Sequence, residues 1–100
     1  MNVRYLDAGP LASVVAKLIQ VNLATGVETI LLTFDSHNFP QASTYQLKGV
    51  NNCFTNPFRP IKFDFGNNAY YVTATLTTSA IVISASGVQA ISIGPAVCIG

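Results

Sequence analysis

This sequence has unusually few charged residues. Only 9% of its 100 residues are Asp, Glu, Lys or Arg, against roughly 25% in ordinary soluble domains. Because charged side chains keep exposed surfaces soluble and apart, a formal net charge of +1 leaves the chain poorly protected against association. We therefore expect much of its surface to be covered by other subunits or a larger assembly. The alternative is that abundant Ser, Thr, Asn and Gln supply enough polarity for a soluble monomer.

Patterns for nucleic acid and for membranes are also missing. The five basic residues are dispersed and nearly balanced by four acidic ones, so no basic patch for a phosphate backbone exists and no nucleic-acid partner is predicted. No continuous apolar run reaches the roughly 18 residues that a membrane-spanning helix requires. The segment MNVRYLDAGP lacks a signal-peptide pattern, which predicts a protein made in the cytoplasm and kept there until assembly or release.

Groups that bind metals or cofactors are few. Cys53 and Cys98 are far apart and have too few companions for a zinc site, and without a secretion signal free thiols are favoured over a disulfide. Neither a P-loop nor a dinucleotide fingerprint occurs. The sequence therefore predicts no cofactor and no metal, and it leaves the disulfide as the open alternative for the two cysteines.

Catalytic patterns are weak as well. Asp35, Ser36 and His37 stand together, but side chains on adjacent residues point in different directions, whereas a triad needs each group within hydrogen-bond reach of the next. The acidic residues show no spacing that would pair two of them for glycoside hydrolysis. We therefore predict that the protein is not an enzyme.

What the sequence does have is alternation of apolar and polar residues along nearly its whole length, with β-branched and aromatic enrichment. This pattern predicts strands with one buried face, and hence one all-β domain spanning residues 1–100. About eight short antiparallel strands must form two sheets that cover each other's apolar faces. A single jelly-roll-like sandwich is the first choice. An immunoglobulin-like sandwich stays open, although the absence of Trp counts against the antibody type.

The predicted strands and turns follow from local composition. Residues 11–23 favour a strand, with a short helix as the alternative, and turns are expected at residues 24–26, 66–68 and 84–87, where small or amide residues cluster. The predicted strands are residues 3–6, 11–23, 28–34, 44–50, 61–65, 70–77, 81–83 and 88–93.

The segment at residues 61–65 is the cleanest amphipathic strand in the sequence. Its alternation predicts Ile61, Phe63 and Phe65 in the central core and Lys62 and Asp64 facing outward. On this interpretation, truncating Phe63 to Ala would cost on the order of 3–5 kcal/mol.

Two segments rich in turn-forming residues are expected to be surface loops. The first spans residues 35–43, and the second spans residues 51–60, where Pro57 and Pro60 remove backbone donors. Loops of this kind carry local function. The candidate interaction residues are Asp35, His37, Asn38, Phe39, Asn52, Phe54, Asn56, Phe58 and Arg59.

Two phrases of the sequence carry a resemblance to known proteins. Residues 54–63 read F-x-N-P-F-R-P-I-K-F and precede a Gly-Asn-Asn turn and an apolar, Thr-rich hairpin, and residues 4–9 read RYLDAG. Over about half of the chain, this resembles small structural proteins of tailed and membrane-containing bacteriophages. Those proteins are all-β and form vertex, decoration or spike components, usually as symmetric oligomers.

The resemblance implies a non-enzymatic bacteriophage virion structural protein: a capsid decoration, vertex, tail or spike component. It would assemble in the host cytoplasm, self-associate into a homo-oligomer and dock on other virion proteins. The subunits of a shell bury most of their sides, which would account for the low charge. The alternative is a carbohydrate- or receptor-binding β-sandwich module that uses the two loops and their aromatic residues to bind a glycan.

Overall fold

The strands alternate with turns throughout the part of the chain that the structure, a computed structural model, describes: residues 1–9, 11–50, 53–55, 58–78 and 85–93. The predicted all-β class is confirmed. The strands are β1 (Asn2–Ala8), β2 (Ser13–Asn22), β3 (Glu28–Asp35), β4 (Gln46–Gly49), β5 (Cys53–Thr55), β6 (Phe58–Pro60), β7 (Asn68–Thr77) and β8 (Ala85–Ser92).

The strands form two antiparallel three-stranded sheets and one small hairpin. One sheet has the order β4-β1-β8, the other has the order β3-β2-β7, and β5 pairs with β6. The long strands β1 and β2 are therefore the central strands of their sheets, with a partner on either side. The strand interpretation of residues 11–23 is confirmed, because β2 pairs along its length with both β3 and β7.

The hairpin between β2 and β3 forms where the sequence predicts it. The side-chain oxygen of Asn22 accepts hydrogen bonds from the backbone N–H groups of Ala24 and Thr25, at 2.9 and 3.1 Å. Gly26 has a φ of +73°, a left-handed conformation that glycine adopts without steric cost, and its N–H donates to the carbonyl of Asn22 at 2.7 Å. Local turn chemistry thus fixes the register of the hairpin.

The hydrophobic core lies between the two sheets, on the inward faces of β1, β2 and β3. Phe34 and Tyr5 meet edge to face at its centre, with ring centroids 5.0 Å apart, and both side chains are fully buried. The buried cluster consists of Met1, Val3, Tyr5, Val14, Ala16, Leu18, Leu32 and Phe34. Each set of strand residues has the two-residue spacing of a single sheet face.

Residues 61–65 do not form the predicted core strand. Residues 61–64 carry no regular structure and residues 65–67 form a turn, while Phe63 and Phe65 are 38% and 73% exposed. Asp64 is the physical reason: its carboxylate accepts hydrogen bonds from the Gly66 N–H (3.1 Å) and the Asn67 side-chain amide (2.9 Å). An aspartate that bonds its own following backbone favours a turn over a strand.

Two further boundaries differ from the prediction. Residues 85–87, expected in a turn, begin β8 instead, because they pair with Ala8, Asp7 and Leu6 of β1. The second predicted loop contains the β5–β6 hairpin, in which Cys53 pairs with Pro60 and Thr55 with Phe58. Residues 81–83 and 94–100 lie outside the described residues.

The jelly-roll topology is not established, since a jelly roll places eight strands in two sheets as two Greek keys, whereas the two described sheets hold six strands and β5 and β6 pair separately. The coarser description, two antiparallel sheets that share a core, holds for the described residues. A search of the same residues finds no helix long and apolar enough to cross a membrane.

Candidate interaction surface

The first predicted loop is anchored to the core by Ser36. A short 3₁₀ turn covers Ser36–Asn38, and Ser36 is almost completely buried. Its hydroxyl donates to the Asp7 carboxylate at 2.6 Å and accepts from the Val14 N–H at 2.9 Å. One side chain therefore links β1, β2 and the loop that follows β3.

Asp7 is a buried carboxylate whose second oxygen finds no hydrogen-bond partner. Ser86 lies directly opposite it on β8, and the Ser86 hydroxyl and the Tyr5 hydroxyl are also buried and unpartnered. Burial, followed by the nearby Asp7 charge, raises the pKa of Tyr5. Unsatisfied polar groups in a core are destabilising, so this cluster is a weak point in the core of the described chain.

The residues on either side of Ser36, Asp35 and His37, have side chains at the surface. His37 is exposed, its Nδ1 lies 3.4 Å from the Asp35 carboxylate, and its backbone N–H donates to that carboxylate at 2.9 Å. Because Ser36 faces the core and His37 faces solvent, the three adjacent residues do not form a hydrogen-bonded chain. Among the described residues, no group of three or more His, Cys, Asp or Glu could hold a metal ion.

The predicted interaction residues fall into three groups. Asp35, His37 and Asn38 lie at the surface end of the first loop, whereas Phe39 is partly buried and stacks on Phe34 with ring centroids 5.6 Å apart. The structure therefore gives Phe39 a packing role. Phe54, Phe58 and Arg59 lie in the β5–β6 hairpin, while Asn52 and Asn56 lie outside the described residues.

A cluster of aromatic rings that the loop prediction did not include lies at the start of β7. The rings of Phe63 and Phe65 stack at 5.8 Å and 10°, and the Tyr70 ring meets them edge to face at 4.7 and 5.2 Å. The Asp64 turn holds this geometry, because the Asp64 N–H donates to the Tyr70 hydroxyl at 2.8 Å. We call Phe63, Phe65 and Tyr70 the aromatic cluster.

Hydrogen bonds within the turn also set the charge state of Asp64. The Asn67 side-chain amide has the largest effect and lowers the pKa of Asp64; burial opposes it, and the backbone N–H groups of Gly66 and Asn67 lower the pKa further, so that it lies below its ordinary value. The turn is therefore strongest when Asp64 is ionised.

The apolar face of β7 continues from the aromatic cluster. Tyr70, Val72, Ala74 and Leu76 share one face of the strand; Ala74 is exposed, Val72 is 38% exposed and Leu76 is 50% exposed. We call these four residues the β7 stripe. By register with β2, the stripe lies on the same face of the sheet as the buried residues Leu18, Ala16 and Val14.

The opposite face of β7 is polar but uncharged, and its pattern is Tyr71, Thr73, Thr75 and Thr77. Tyr71 donates its hydroxyl hydrogen to the Glu28 carboxylate at 2.8 Å, and this bond, with burial and the Glu28 charge, raises the pKa of Tyr71. The bond crosses the sheet from β7 to β3 and leaves the outer edge of β7 untouched.

Loop composition directed the prediction away from this surface. One sequence signal could have found it: no charged residue follows Asp64, so the whole of β7 lacks the charges that normally protect an exposed strand. The described chain is thus an all-β protein with two antiparallel sheets, a shared core and an uncharged, partly apolar edge strand. Comparisons with protein-family models, curated proteins and solved structures found no match for it.

Proposed function

We propose that the protein is a non-enzymatic structural component of a bacteriophage virion, a capsid decoration, vertex, tail or spike subunit. It acts through self-association and docking on a lattice of other virion proteins, and it assembles in the host cytoplasm. The resemblance of residues 4–9 and 54–63 to small phage structural proteins supplies the virion setting. A jelly-roll arrangement of the two sheets is part of this proposal.

The observation that carries the proposal is the exposure of the aromatic cluster and the β7 stripe. Together they place Phe65, Val72 and Leu76 in solvent, and β7 itself carries no charge. A large exposed apolar patch marks a surface that another molecule covers. A subunit of a repeating shell has such a surface because its neighbours bury it.

Particle composition tests the virion role directly. Phage particles produced by a host that carries the gene are purified on a density gradient and their proteins are quantified by mass spectrometry. We expect this chain in the particles at a fixed ratio to the major shell protein. Recovery only from the soluble host lysate, with none in purified particles, would contradict the proposal.

The aromatic cluster supports a second candidate, a glycan- or receptor-binding module. Phe63 and Phe65 present adjacent, parallel rings at the surface, and aromatic rings of this kind stack on the apolar faces of sugars. A glycan array probed with the full chain and with Phe65→Ala tests this. Sugar binding that Phe65→Ala abolishes would favour the second function, and no binding by either protein would reject it.

A further inference from the structure

We propose that β7 pairs with β7 of a second copy of the chain, antiparallel and across a two-fold axis, so that two three-stranded sheets become one six-stranded sheet. The proposed function includes self-association, and this inference assigns that self-association to the edge of β7. In that sense it rests on the proposed function. The occupant of the open edge is the same strand of an identical molecule.

The first argument is the open edge itself. β7 pairs with β2 from Asn68 to Thr77 without a register shift, and no described strand pairs with its other edge. An edge strand exposes a row of N–H and C=O groups that readily accept another strand. β7 has ten residues, no proline and no charge, so it carries none of the usual sequence features that block pairing.

The other edge strands of the described sheets do carry such features. β3 has a register shift opposite Leu18 and Ile19 and ends in Glu28 and Asp35. β4 is only four residues long and contains Lys48. β8 has a register shift opposite Arg4 and Tyr5. Bulges, charges and short length all discourage edge pairing. Among the edge strands of the described sheets, β7 is therefore the one best suited to pair with another strand.

The second argument is self-complementarity, which selects the register. Because side chains alternate, the two stripes join on one face only if even-numbered residues lie opposite even-numbered residues. An axis through Thr73 places Tyr70 opposite Leu76 of the second copy and Val72 opposite Ala74. An axis through Val72 would instead place the polar Asn68 opposite Leu76. We therefore assign the axis to Thr73.

The third argument is size. Pairing of residues 69–77 with their symmetry mates would form about eight to ten main-chain hydrogen bonds, close to the roughly ten direct bonds of a typical interface. No charge on β7 opposes the approach of an identical strand.

Cross-linking tests the register. In a full chain with Cys53→Ser and Cys98→Ser, Thr73→Cys places two thiols on the proposed axis, where directly opposite residues have the Cα separation that a disulfide needs. Mild oxidation should convert most of the protein to a covalent dimer. The matched control is Thr33→Cys, an exposed threonine on β3. Absence of a Thr73→Cys dimer, or equally fast dimerisation of both variants, would overturn the proposal.

A charge placed in the joint gives an independent test. Ala74→Lys introduces two lysines close to the axis in a single dimer, and we expect the dimer Kd to rise on the order of 100-fold. Ile30→Lys, on β3, is the control and should leave the Kd within threefold of the parent. Sedimentation of the full chain measures both, and circular dichroism verifies that each variant is folded.

The outcomes separate this inference from the virion proposal. If the parent chain and the Ala74→Lys variant associate with the same Kd, another surface, or another segment of the same chain, covers the stripe. The β7 pairing would then be wrong. Particle incorporation decides the virion role separately. A protein found in particles that shows no β7 cross-link would overturn only the pairing.

Discussion

At the residue scale, the least usual group is Asp7, a carboxylate buried on the core face of β1. Its one hydrogen-bond partner among the described residues is Ser36, at 2.6 Å. A buried charge is costly when its hydrogen bonds are incomplete. The Ser36 hydroxyl therefore contributes more to stability than an ordinary surface serine does.

We predict that Ser36→Ala lowers the free energy of unfolding by about 1.5–3 kcal/mol, because it leaves both Asp7 and the Val14 N–H without a partner. His37→Ala, at the exposed adjacent position, should change it by less than about 0.5 kcal/mol. Urea denaturation followed by circular dichroism measures both values. Equal effects of the two substitutions would show that the Ser36 bond does not anchor the loop.

The Asp64 turn gives a prediction about pH. Because folding lowers the pKa of Asp64, ionised Asp64 stabilises the turn above its unfolded pKa of about 3.9, and this contribution is lost as the pH falls through the lower, folded value. Carbon-detected NMR of the carboxyl group should show a midpoint below about 3.9. A midpoint at or above that value would contradict the turn geometry. In the parent protein, the NMR signals of the Tyr70 ring should shift as Asp64 is protonated, because the Asp64 N–H donates to the Tyr70 hydroxyl. In the Asp64→Asn variant, this acid-dependent shift should disappear.

At the element scale, Phe34 lies in the core, whereas Phe63, which alternation predicts for the core, lies partly at the surface. Phe34 is fully buried against Tyr5 in the core, whereas Phe63 is 38% exposed. We predict that Phe34→Ala costs about 3–5 kcal/mol. Phe63→Ala should cost only about 0.5–1.5 kcal/mol, mostly from lost aromatic contacts. Thermal unfolding of both variants checks the order, and a larger loss in Phe63→Ala would return residues 61–65 to the core.

The same contrast shows what local sequence can predict. Alternation identifies β2, β3 and β7 because each has a regular two-residue pattern over eight or ten residues. It fails at residues 61–65, where the hydrogen bonds of Asp64 decide the conformation. It also fails at the start of β8, where small residues resemble a turn but Ser86 and Gly87 pair with Asp7 and Leu6 across the sheet. Those partners are distant in sequence.

The exposure of the β7 stripe could not be predicted from local sequence either. Tyr70, Val72 and Leu76 have the pattern of a buried face, and the register places them beside the residues of β2. Tyr70 packs partly against the core, whereas Val72 and Leu76 are exposed, a difference that no local pattern predicts. The sequence feature that accompanies this surface is the absence of charge after Asp64.

At the scale of the whole molecule, an uncharged apolar surface predicts how association responds to salt. Attraction between charged surfaces weakens as ionic strength rises, whereas apolar burial strengthens in sulfate. We therefore predict association at micromolar concentration that sodium chloride does not weaken and ammonium sulfate strengthens. Sedimentation velocity that finds only the 10.6 kDa species at low salt, in sodium chloride and in ammonium sulfate would contradict this.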